Sequence, residues 1–157
     1  MRRRSFCLGS IILVLAGPTW AVSETVYDES SDAKKQIAAA IAEASRRGHP
    51  PRNVVLVFGA NWCLDCRTLD AQMHQSELAS LIEKHFVVVK IDVGRMDKNL
   101  EVATKYGVPV KNGIPAVAVL NSKGKLLYAQ DQGQFADARH MNPESFMAFF
   151  ERWKPRN

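Results

Sequence analysis

The 157-residue chain has little of what would fix its class at a glance. Three cysteines are too few for the disulfide framework that holds small secreted domains together. The leading apolar run, from Phe6 to Gly17, falls well short of the about 20 residues a membrane-spanning helix requires. No internal repeat or low-complexity stretch appears. The charged and hydrophobic shares, 24% and 46%, are those of an ordinary globular protein, which excludes wholesale disorder and a collagen-like fibre. The four histidines lack the paired spacing that holds a metal, so no metal is expected. A basic stripe is also missing: Arg46, Arg47 and Arg52 read as a helix end and its loop, where cations complement the helix dipole. Nucleic acid is therefore not an expected partner, although Lys and Arg outnumber Asp and Glu by 21 to 16.

Much of that excess sits at the start. Arg2, Arg3 and Arg4 precede the apolar run, and Pro18-Thr19-Trp20-Ala21 ends it on small residues, the layout of a secretory signal peptide cleaved after Ala21. Cleavage removes three Arg and no acid, leaving 18 basic against 16 acidic groups, a net of +2. It also removes Cys7 and leaves Cys63 and Cys66 in an export compartment, the periplasm, where disulfides form. Residues 22–31 read as a short polar lead, either frayed or a brief strand, and 32–157 as a single domain.

Within that domain, Asp32 or Ser31 caps a helix carrying Ile37, Ile41 and Ala44, which Gly48 and Pro50-Pro51 stop. Val54 to Phe58 is an apolar, β-branched run of the kind buried on both faces of a sheet. Cys63 to about Lys84 predicts one helix, Phe86 to Val93 a second buried strand, and Asp97 to Tyr106 another helix. Ala116 to Leu120 and Leu126 to Ala129 form a hairpin about Gly124. Asn142 caps a last helix whose Phe146, Phe149, Phe150 and Trp153 face the core. Alternating β and α units with one hairpin predict an α/β fold: a mixed sheet with helices on both faces.

The chemistry concentrates in Trp62-Cys63-Leu64-Asp65-Cys66. Two cysteines at this spacing can close a disulfide, and a strand-to-helix junction puts Cys63 at a helix start, where free N–H groups favour the thiolate that attacks disulfides. Cys66, a turn further in, is expected to be more buried and to resolve the mixed disulfide that Cys63 forms. An inert structural disulfide is the plain alternative, but so short a loop constrains the unfolded chain little. Zinc would need two further ligands.

These residues resemble the thioredoxin superfamily: the five-residue motif follows Val54-Val55-Leu56-Val57-Phe58, Ile114-Pro115 opens a later strand, and Gly124 lies in the following turn. The resemblance runs from about Asp32 to Trp153. It implies a thioredoxin fold, a cis Pro115 facing the cysteines with Ile114 beside it, and a surface around the pair formed by Trp62, Ala60 and Leu64. Pro109 is the rival for the cis position, but its loop context fits a plain turn. Lys90 matches the family's buried lysine, whereas Val57 stands where a buried aspartate usually accepts the proton of the resolving cysteine. Asp65 is then the nearest carboxylate in sequence. Its charge between the thiols opposes thiolate formation at Cys63, which favours a reductant.

The sequence thus points to a thiol-disulfide oxidoreductase acting on protein disulfides, most simply as a reductase. It would be a monomer with no cofactor beyond the Cys63–Cys66 disulfide, recharged by a membrane electron donor that the resemblance implies. The alternatives are an oxidase or isomerase, and a redox-inactive binding or chaperone module. The loops 108–113 and 130–141 are expected to carry partner choice.

Overall fold

A computed structural model describes residues 25–156. The expected signal peptide, 1–21, and the first three residues of the lead lie outside them. The described part of the lead forms turns rather than a strand, and it carries Tyr27 into the core. Helix α1 (Ala33–Ala44) begins where the Asp32 carboxylate accepts the Lys34 and Lys35 backbone N–H groups at 3.0 and 3.1 Å. It buries Ile37, Ala40 and Ala44 against the sheet.

Strand β1 (Asn53–Gly59) is buried along its whole length because it has a neighbour on each side. It pairs in parallel with β2 (Phe86–Asp92) and antiparallel with β3 (Ala116–Leu120), and β4 (Leu126–Ala129) adds an edge to β3. The order is β2-β1-β3-β4, a mixed sheet flanked by helices, as the alternation of elements predicts. The hairpin closes as expected, with Gly124 at φ 79° and the Asn121 carboxamide oxygen accepting the Lys123 and Lys125 N–H groups.

The single helix expected from Cys63 to Lys84 is two. Helix α2 (Leu64–Met73) ends at His74, Gln75 is extended, and α3 (Ser76–His85) follows. The inward residues explain the break. Leu69 and Met73 share one face, but Leu78 comes five residues later, about 140° round an unbroken helix. The interruption resets the phase so that Leu78 is also buried. Helix α4 (Leu100–Lys105) is shorter than expected, since Met96 and Asn99 take left-handed backbone and prevent an earlier start. Helix α5 (Pro143–Trp153) starts at the Asn142 cap and buries Phe146 and Phe150, with Phe150 edge-on to Phe86 of β2. A 3-10 turn at Ala138–His140 ends the long segment between β4 and α5 and packs against α2.

Candidate functional site

The carboxyl end of β1 leads through Ala60, Asn61 and Trp62 into Cys63, which occupies the N-cap of α2. There the Cys63 Sγ accepts the Cys66 backbone N–H at 3.1 Å, so an otherwise free helix-terminal donor points at the sulfur. Cys63 and Cys66 form a disulfide, with Cys66 fully buried and Cys63 6% exposed. That asymmetry gives the outer sulfur to solvent and the inner one to the core.

Across from the pair, the Ile114–Pro115 peptide is cis, as expected of Pro115, and Pro109 sits in a turn. The Cys63 Sγ lies 3.5 Å from the Ile114 carbonyl oxygen. Behind this wall, Gln130 is buried and donates from Nε2 to the Pro115 carbonyl at 3.5 Å, while its backbone N–H donates to Val117. Trp62 and Leu64 form an exposed apolar rim, 57% and 51% accessible. Trp62 is a fixed platform, because its indole N–H donates to the Gly94 carbonyl at 2.8 Å. Ala60 does not join this surface: it is 1% exposed, packed beneath the loop.

Asp65 departs from expectation. It is not a bare negative charge between the thiols. It is buried, and its Oδ1 accepts the Arg139 backbone N–H at 2.9 Å and the Arg139 Nε–H at 3.1 Å. Burial pushes its carboxyl pKa up, but the Arg139 bonds and charge outweigh that and hold it below its ordinary value. Committed to Arg139, it is poorly placed to take a proton from Cys66. Lys90 stands opposite Val57 in the β1–β2 register and forms an ion pair with Asp70, one turn beyond Cys66 on α2. The structure therefore gathers Cys63, Cys66, Ile114, Pro115, Trp62 and Leu64 at one mouth, turns Asp65 towards Arg139, and sets Lys90 behind.

Four contributors escaped the sequence: Tyr27, Asn61, Gln130 and Arg139. Only Tyr27 left a trace, as the one aromatic residue in an otherwise polar lead. The other three act across 34, 15 and 74 positions of chain, which no local pattern reveals.

A family model described as thioredoxin-like matches residues 32–122. The chain belongs to the thioredoxin-like family. A disulphide isomerase from Xylella fastidiosa Temecula1 is 45% identical to this thioredoxin-like chain; the match covers 83% of it and 97% of the Xylella protein, with a TM-score of 0.77. The DsbD c-terminal domain of Neisseria meningitidis in its oxidised form is 25% identical over 78% of this chain and 96% of that one, TM-score 0.52. A thioredoxin from Thermus thermophilus shares the fold at 21% identity, covering 73% and 81%, TM-score 0.53. No curated protein matches. Family, fold and cysteine pair together make this thioredoxin-like protein a thiol-disulfide oxidoreductase.

Proposed function

We propose that this protein reduces disulfides in exported protein substrates. The observation that carries this reading is the Cys63–Cys66 disulfide at the start of α2, facing the cis Ile114–Pro115 peptide across an exposed Trp62 and Leu64 rim. In the reduced protein, the Cys63 thiolate attacks a substrate disulfide and one substrate thiolate leaves, giving a mixed disulfide. Cys66 then loses its proton and attacks the Cys63 sulfur. The second substrate thiolate leaves and takes up a proton, and the substrate has gained the two electrons that the dithiol has lost. The backbone beside Pro115 offers hydrogen-bonding groups to an extended substrate, and Trp62 and Leu64 offer it apolar surface.

Direction follows from the charges around Cys63. Asp65 is inside the ring, and Arg139 is spent on pairing with it, so that guanidinium adds little to what the helix terminus gives the thiolate. A thiolate so modestly stabilised gives a dithiol that yields its electrons readily. Return to the dithiol then needs an electron donor, most simply a membrane thiol protein, in the periplasm reached by cleavage after Ala21. No bound cofactor enters this scheme, and one chain is sufficient for it.

Insulin reduction with dithiothreitol tests the reading. The chain should accelerate precipitation of the insulin B chain, Cys63→Ser should abolish that, and Cys66→Ser should trap mixed disulfides with substrates. Absence of both turnover and trapping would leave a redox-inactive binding module. The 45% identical disulphide isomerase favours a second reading, isomerisation. Recovery of activity from scrambled ribonuclease without net reduction would select it.

A further inference from the structure

Cys66 is fully buried, and the strand beneath it presents Val57, itself 2% exposed. A buried thiol holds its proton tightly, because the thiolate loses solvation. The resolving step needs that thiolate, so something other than water must stabilise it. A polar group lies close by. A β-carbon built on Gly59 would sit 2.9 Å from the Cys66 Sγ and closer still to the Tyr27 hydroxyl, so sulfur and hydroxyl border the same small space.

Two further observations show that this space is maintained. Gly59 lies in the last position of a central strand and is not at positive φ, so the backbone does not demand glycine there. Glycine in a strand weakens it, and close approach of other groups is the usual reason for one. Tyr27, in turn, is fixed to the cysteine loop: its N–H donates to the Asn61 Oδ1 at 2.9 Å, and the Asn61 Nδ2 donates to its carbonyl at 2.9 Å, two residues before Cys63. Through Asn61 the phenol keeps its register with the redox pair.

We propose that the Tyr27 hydroxyl donates a hydrogen bond to the Cys66 thiolate and so enables the resolving attack. Tyr27 keeps its own proton throughout; the proton that Cys66 loses ends on the departing substrate thiolate. This proposal rests on the exchange reading above. The charged groups around this space are Asp70 on α2, paired with Lys90 of β2, and Asp92 of β2, paired with Lys98 at 3.3 Å. Burial, then the negative charges of Asp70 and Asp92, push the Tyr27 phenol far above its ordinary range, which keeps it a donor at every working pH.

The test uses the full chain carrying Cys7→Ser and Cys63→Ser, in which Cys66 is the sole thiol and its thiolate absorbance can be titrated directly. Tyr27→Phe should raise the Cys66 pKa, cutting the thiolate fraction at neutral pH by about tenfold, the scale of one hydrogen bond to a charged group. With both active-site cysteines restored, resolution of a glutathione mixed disulfide should slow by the same factor. Alkylation of Cys63 should not change. Fluorotyrosine at position 27, a stronger donor of the same shape, should lower the Cys66 pKa, which keeps the test sound if Tyr27→Phe unfolds. An unmoved titration in both variants would overturn the proposal. A Cys66 that responds to position 27 in a chain that neither reduces insulin nor traps mixed disulfides supports the hydrogen bond and overturns the exchange reading.

Discussion

The charge nearest Cys63 in the motif, Asp65, is held by a residue 74 positions further on. Arg139 pairs with Asp65 through its backbone N–H and its guanidinium. Arg139→Ala should raise the Cys63 pKa and destabilise the fold by about 1 kcal/mol, a modest sum because the guanidinium is partly solvated. Thiol alkylation against pH and urea unfolding would measure the two effects. The sign of the pH dependence follows from the lowered carboxyl pKa of Asp65. Its contribution is complete above its ordinary value of 3.8 and is lost as the pH falls through the lower, folded value. Asp65→Asn should therefore lower the melting temperature at neutral pH, and its gap to the parent should close as the solution is acidified below that ordinary value. At the rim, Trp62→Ala should raise KM for protein disulfides by about fivefold to tenfold, the effect of losing one aromatic anchor. Turnover of a small-molecule disulfide should hardly change. The cysteines and Pro115 were legible in the sequence because spacing and neighbours mark them. The partner of Asp65 was not, because a single exposed arginine in a polar loop has no pattern of its own.

At the scale of elements, the strands and the terminal helix follow from apolar periodicity and caps. The break between α2 and α3 does not. Every residue from Cys63 to His85 tolerates a helix, and only the phase of Leu78 against the sheet demands the interruption. Tertiary packing decides it, beyond the reach of local propensity. The segment 130–141 was likewise legible only as a loop. It reaches the site at both ends, through Gln130 to Pro115 and through Arg139 to Asp65, so it braces the redox mouth from behind as well as bordering it. Helix α5 is the clearest success of periodicity, with its aromatic stripe meeting Phe86, Tyr128 and Phe135. Truncating its contact with Phe86 of the sheet, Phe150→Ala, should cost about 3–5 kcal/mol in denaturant unfolding while leaving the alkylation rate of Cys63 in the folded fraction unchanged.

For the whole molecule, a reductant implies that folding favours the disulfide over the dithiol. The oxidised chain should accordingly melt at a higher temperature than the chain reduced with dithiothreitol, whereas a strong oxidant would show the reverse. The proposed export is checked by mass spectrometry of the periplasmic fraction, which should find Val22 as the first residue of this chain. The architecture also fixes where the two ends of the domain emerge. Tyr27 enters beside Gly59 at the redox end of β1, whereas the last turn of α5 is held at the other end, where the Asn53 Nδ2 donates to the Trp153 carbonyl at 2.8 Å. One strand length, roughly 20 Å, separates the two. An affinity tag or surface tether attached beyond α5 therefore leaves from the pole away from the chemistry.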